Sequence, residues 1–281
     1  MNHDQDLRPT GSGGREAPPD LRIATLTFDD DGEPHRITLT GRVDTAQRLA
    51  RHLDVTMPLC DPDSAAADRL RRALLAQPPG DQATAALLVA DAARLCAFTR
   101  PGDLGRDVLD PLYWLLMTTV FMPFYDNGPR DVVRGTVTPV PQPDVDLRVT
   151  ALHFDGRTPR AVELRLARDV AGPLAVHLAR VQPGEGHRTP ADRLRRALTD
   201  AEPASDGRIT VIVDTMDAAR LCQAFGRLPD YDHRHPVMRP LTDLLDHVAF
   251  QPFHRNGHLD VLFPRVWPIT RFVPDVDGET R

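Results

Sequence analysis

Ala67-Asp68-Arg69-Leu70-Arg71-Arg72-Ala73-Leu74 occurs a second time, unchanged, as Ala191-Asp192-Arg193-Leu194-Arg195-Arg196-Ala197-Leu198. A repeat of this kind sets the size of the folding unit, so it is read before any single element. Downstream, Asp91-Ala92-Ala93-Arg94-Leu95-Cys96-Ala97-Phe98 returns as Asp217-Ala218-Ala219-Arg220-Leu221-Cys222-Gln223-Ala224-Phe225. Phe121-Met122-Pro123-Phe124 returns as Phe250-Gln251-Pro252-Phe253, and Asn127-Gly128 as Asn256-Gly257. Upstream, Leu21-Arg22-Ile23 and Phe28-Asp29 are answered by Leu147-Arg148-Val149 and Phe154-Asp155. The separation drifts only from 124 (191 − 67) to 129 (256 − 127), so length differences are small and belong in loops. The chain therefore reads as a tandem duplication of a unit of about 125 residues, an ordinary domain size.

The two copies constrain one another's elements. Arg22 to Asp29 and His35 to Val43 alternate apolar and polar around Asp29-Asp30-Asp31-Gly32, the pattern of a β-hairpin. Asp44-Thr45 can cap a helix through about His52, and Ser64 or Thr189-Pro190 opens another through Leu74 or Leu198. Gly207 to Asp214 predicts a strand, with Ala83 to Ala90 as its counterpart. The Ala-Ala-Arg-Leu-Cys segments predict helices, followed by more apolar ones over about Val108 to Phe121 and Val237 to Phe250. Asp131 to Val137 and Leu259 to Val266 are expected to close each unit as a strand. The resulting fold class is α+β: a ββααβααβ unit, duplicated, forming a pseudo-twofold pair by analogy with isologous dimers. The expected organisation is a tail at 1–19, repeat units at 20–138 and 146–270, a linker at 139–145, and a tail at 271–281.

Composition removes whole reaction classes. All 34 Lys+Arg residues are arginine, against 40 Asp+Glu, for a formal net charge of −6. A chain without lysine cannot be a P-loop NTPase, a protein kinase, a pyridoxal-phosphate enzyme or a Schiff-base aldolase. Serine occurs only at Ser12, Ser64 and Ser205, never in a nucleophile elbow, and no Gly-rich dinucleotide fingerprint follows a strand. No cofactor is named by any nucleotide, pyridoxal-phosphate or dinucleotide motif. Abundant Ala, Arg, Asp and Pro point to a GC-rich bacterial genome. Three unpaired cysteines, no leader pattern and no apolar run long enough for a bilayer predict a soluble cytoplasmic protein without membrane partners.

Three groups of residues are candidates for chemistry. Cys96 and Cys222 sit at matching helical positions, which favours small buried hydrophobes over nucleophiles. Cys60 is the one cysteine without a counterpart, but Asp61 beside it disfavours its thiolate. Histidines concentrate in the second unit. Asp232, His233 and His235 form a candidate metal site, and Asp243 with His247, four residues apart on one helical face, form a candidate catalytic acid/base pair. The paired helices bearing Arg69, Arg71, Arg72 and Arg193, Arg195, Arg196 form a candidate binding surface. Asp68 and Arg72, like Asp192 and Arg196, are spaced for ion pairs within the helix.

The expected function is protein–protein interaction, in an adaptor or regulatory role, because the best-kept duplicated segments are packing helices and turns. The Arg-bearing helices or the Tyr113-Trp114 region would meet the partner. An enzyme or a small-ligand or metal-binding protein, with its His/Asp site near the cleft between the repeats, is the alternative. Nucleic-acid binding through the paired Arg helices is the third, less favoured because the net charge is negative.

Overall fold

The alternation in Leu21–Phe28 (β1) and Pro34–Arg42 (β2) does produce an antiparallel hairpin, turned at Asp29, whose carboxylate accepts the N–H groups of Asp31 (3.0 Å) and Glu33 (2.9 Å). These belong to a computed structural model that describes residues 20–56, 64–77, 80–98, 109–136, 143–181, 189–226 and 235–263. The hairpin is followed by helices Val43–Thr56 (α1) and Ser64–Leu75 (α2), strand Gln82–Leu88 (β3) and helix Val89–Phe98 (α3). Helix Leu109–Leu116 (α4) then widens into a π-helical stretch, Met117–Phe121, before Met122–Phe124 (α5) and Pro129–Arg134 (α6). The second half runs Leu147–Asp155 (β4), Thr158–Ala167 (β5), Arg168–Val181 (α7), Pro190–Asp200 (α8), Arg208–Asp214 (β6) and Thr215–Phe225 (α9). Met238–Leu245 (α10), a π-helical stretch Asp246–Phe250, and His258–Leu262 (α11) complete it. The fold is mixed α+β. The expected tails and residues 139–142 of the expected linker lie outside the described residues.

All six strands join one antiparallel sheet in the order β3-β2-β1-β4-β5-β6. The centre is the pairing of β1 with β4, where Leu26 faces Leu152, flanked by Thr25 opposite His153 and Thr27 opposite Ala151. Both hairpins slip register at matching places. β1 slips against β2 between Ile23 and Thr25 and between Thr27 and Phe28; β4 slips against β5 between Val149 and Ala151 and between His153 and Phe154. Each slip inserts a residue and strengthens the local twist of its hairpin.

One face of the sheet carries the core. Ile23, Leu26, Ile37, Leu39, Leu152, Val162 and Leu164 are buried there beneath the helices. At about 1.5–3 kcal/mol for each large aliphatic side chain removed from water, this face supplies the main stabilisation. Phe121 and Phe250, in the two π-helical stretches, are fully buried. The two halves also meet through an edge-to-face chain of rings, Phe28–Phe124 (5.6 Å between centroids), Phe124–Phe253 (5.8 Å) and Phe253–Phe154 (5.7 Å). Arg148 Nη1 adds a polar tie by donating to the Asp30 carbonyl at 2.6 Å.

The expected closing strands are not strands. The described residues of 131–137 and 259–266 fall in helices α6 and α11 and what immediately follows them. The reason is local. Gly128 and Gly257 adopt φ of 62° and 57°, which reverses the chain, and each glycine is the N-cap of the helix after it. Asn127 then gives its N–H (2.8 Å) and Nδ2 (3.0 Å) to the Asp131 carboxylate, as Asn256 does to Asp260 (2.9 and 2.8 Å). A carboxylate held in the first turn favours helix over strand, and it outweighs the short β-branched run Val132-Val133.

The ring chain has a measurable consequence. Phe124→Ala and Phe253→Ala, each removing a half-buried ring, should cost about 2–3 kcal/mol apiece in denaturant unfolding. A double-mutant cycle should return a coupling of about 0.5–1.5 kcal/mol. Strict additivity would show that the rings do not join the halves.

Candidate functional site

Period-two alternation puts a second set of side chains on the face of the sheet opposite the core. Two cross-strand rows span all six strands. One reads Ala86, Thr38, Thr25, His153, Ala161, Asp214; the other reads Leu88, Arg36, Thr27, Ala151, Glu163, Ile212. Among the described residues, no helix buries these side chains: all except Ala151 are half-buried or exposed, and Ile212 keeps 59% of its surface. The first-half side of this face is built of threonines, with Arg22 and Arg36 exposed beside them.

Charge on this face is concentrated in the second half. Thr150 Oγ1 donates to Glu163 Oε1 at 2.7 Å, and His153 Nε2 lies 3.7 Å from Glu163 Oε2. That nitrogen is itself buried and has no hydrogen-bond partner among the described residues. The first half has Thr27, Thr38 and Ala24 at the matching strand positions, so the His–Glu–Thr group is peculiar to one half. Sequence reading missed it because the three residues come together only through strand register. The available signal was the pairing of two hairpins whose bulges had to be placed first.

The candidate arginines are engaged inside the chain. Arg69 grips Asp91 with two donors, Nε at 2.8 Å and Nη2 at 2.5 Å, and Arg193 grips Asp217 in the same two-pronged way. Asp91 and Asp217 sit in the first turns of α3 and α9, so these pairs lock α2 to α3 and α8 to α9. Asp68 holds both Arg71 (2.9 Å) and Arg72, and these guanidinium contacts keep its carboxyl below the usual aspartate range. The expected pair from Asp68 to Arg72 forms. Asp192 instead lies 3.7 Å from Arg195 and takes a hydrogen bond from Thr189 Oγ1 at 2.9 Å, because Thr189 caps α8; Arg196 is not free either.

The histidine candidates separate. Asp232 and His233 lie outside the described residues, as does Cys60. His235 accepts the N–H groups of Val237 (3.3 Å) and Met238 (3.1 Å) on Nδ1, serving the start of α10, and its ring stacks on that of buried His177 at 3.7 Å. Asp243 and His247 do share a helical face, but His247 Nδ1 donates to the Asp243 backbone carbonyl at 2.8 Å while the Asp243 carboxylate faces Arg239 at 3.5 Å. Their side chains are therefore not joined as an acid/base couple. Among the described residues, no three His, Cys, Asp or Glu side chains converge as a metal site. His258 lies 3.4 Å from Asp246, and burial holds nearby His254 below the ordinary histidine range. Trp114 is exposed on α4, while Leu112, Leu115 and Leu116 of the same helix are core. No helix of the described residues is long and apolar enough to cross a membrane.

Burial pushes the Cys96 thiol up to about 12 and raises Cys222 as well. A Cys60→Ala chain should therefore take up no iodoacetamide at neutral to mildly alkaline pH until denaturant exposes both thiols. Rapid native labelling of either would contradict their packing as small hydrophobes.

Comparison of the chain with protein-family models, with curated proteins and with solved structures finds no match.

Proposed function

We propose that the chain is a tandem duplication whose halves are related by a twofold axis passing between Leu26 and Leu152. Leu26 and Leu152 are separated by the repeat spacing of 126 (152 − 26) and also face one another across the central strand pair. The flanking pairs, Thr25 with His153 and Thr27 with Ala151, exchange under the same operation, as do the two long rows of the outward face. The matching bulges, π-helical stretches, Arg–Asp locks and Asn–Asp caps support the same reading.

On this reading the protein acts through protein–protein interaction, as an adaptor or regulator, and its partner surface is the outward face of the sheet. The observation that carries this is a continuous six-stranded face, spanning both halves, whose side chains no described helix covers. Threonines give it methyl and hydroxyl groups in alternation, suited to a polypeptide surface of mixed polarity. Arg22 and Arg36 in the first half, and Arg148, Glu163, Arg165 and Asp214 in the second, give the face charges of both signs for a partner to match. The Arg-bearing helices fit a structural role better than a phosphate-binding one, since Asp68, Asp91 and Asp217 already match their guanidinium groups.

Photo-crosslinking tests the assignment. A benzoylphenylalanine in place of Thr38 should trap one defined protein in the native host, whereas the same group in place of Arg195 on α8 should not. Adducts from the helix position alone, or adducts to nucleic acid, would overturn it. Replacing Arg71 and Arg195 together should leave heparin retention and its salt dependence unchanged.

A further inference from the structure

The two edges of the sheet are finished differently. On β3, the side chain of Gln77 lies along the edge: Thr84 N–H donates to Gln77 Oε1 at 2.7 Å, and Gln77 Nε2 donates to the Thr84 carbonyl at 2.8 Å and to the Ala73 carbonyl at 2.5 Å. The amide thus occupies, at Thr84, the pair of backbone groups that an incoming strand would use, which is one way natural sheets blunt an edge. These bonds also establish that Thr84 turns its N–H and C=O outward, away from β2.

Thr210 occupies the same place in β6: it is the third residue of the strand and faces Arg165 of β5 as Thr84 faces Thr40 of β2. Its N–H and C=O, and those of Ile212 two residues on, therefore point out of the sheet edge. The residue matching Gln77 at the repeat spacing of 124 is Ala201, whose methyl can make neither hydrogen bond. The start of the edge is closed locally, with the Arg208 carbonyl accepting Ala204 N–H (2.7 Å) and Arg208 N–H donating to Asp206 (3.2 Å). Beyond it the strand Arg208-Ile209-Thr210-Val211-Ile212-Val213-Asp214 is β-branched from 209 to 213 and lacks the lysine or proline that commonly protects an edge.

We infer that β6 is a self-association edge, and that a second copy of this chain pairs with it antiparallel about a twofold axis at Val211. In that register Thr210 faces the partner's Ile212, and the two exchange both backbone hydrogen bonds, giving four across the axis. Arg208 faces the partner's Asp214, so opposite charges meet at both ends of the strand pair. Exposed Ile212 gains a neighbour on the outward face, and the buried row Ile209, Val211, Val213 continues into the partner's matching row. The strand is thus complementary to itself in charge, which selects a second copy over an unrelated strand. Among the described residues Gln77 occupies the outward backbone groups of Thr84 on β3, while Thr210 at the matching place on β6 has no such cap, and a twofold pairing of β6 with β6 closes at a dimer with a twelve-stranded sheet. The inference stands on the β6 edge and does not rest on the partner assignment for the outward face.

Light scattering and sedimentation of the full chain test it, with amide hydrogen exchange as a local readout. The chain should run at twice its 31.2 kDa mass at high concentration, and exchange at Thr210 and Ile212 should slow as concentration rises. Ala201→Gln supplies the missing cap and should weaken dimerisation by about tenfold or more, with an unchanged melting profile. Thr210→Pro deletes one outward N–H while sparing the ladder to β5, and should have the same effect. A wild-type chain that stays monomeric, or a dimer that persists undiminished in both variants, would overturn the inference.

Discussion

The antiparallel pairing of β1 with β4, centred on Leu26 opposite Leu152, is the contact on which the rest of the molecule depends. It spans three residue pairs, so its ladder bonds alone, at about 0.5–1.5 kcal/mol net each, would hold the halves loosely. The edge-to-face rings Phe28, Phe124, Phe253 and Phe154 run across the same boundary and add about 0.5–1.5 kcal/mol per contact beyond their buried area. Together they make one sheet of two hairpins and their edge strands. Everything proposed about function follows from that sheet: a face that crosses both halves and that no helix covers among the described residues, and two edges, of which β3 carries the Gln77 cap on Thr84 and β6 carries no counterpart.

The absence of lysine takes on a structural meaning in this setting. The locks between α2 and α3 and between α8 and α9 are two-pronged Arg–Asp pairs, and only a planar guanidinium offers two parallel donors to one carboxylate. An ammonium in place of Arg69 or Arg193 would supply charge without the second bond. Guanidinium-only composition thus suits a chain that uses its cations as internal braces.

Much of the fold was legible from the repeat. Strand alternation located the first hairpin and the repeat correspondence the second, the capping pair Thr189-Pro190 located the start of α8, and the identical Arg-bearing segments fell on matching helices. The closing segments were misread because β-branched residues at Val132-Val133 suggested a strand, while the stronger determinant was the Asn127–Asp131 bond set behind a glycine with positive φ. The π-helical stretches leave no sequence signal, since their wider hydrogen bonding depends on packing around Phe121 and Phe250. Histidine density pointed to His235 and His247, both of which bond to backbone. The group His153, Glu163 and Thr150 lay hidden because Glu163 stands ten positions from His153 (163 − 153) and thirteen from Thr150 (163 − 150) across the hairpin, and a bulge decides which face each one takes.

The most direct test of the account is disulfide trapping across the central strand pair. In a Cys60→Ala background, Thr25→Cys and His153→Cys should close an intramolecular disulfide on mild oxidation of the native chain, because the two residues face each other on the accessible side of the sheet. The trapped protein should then unfold in one transition at higher denaturant. Failure of the pair to close, or closure at equal rate by cysteines shifted two residues along β4, would contradict a single sheet centred on Leu26 and Leu152.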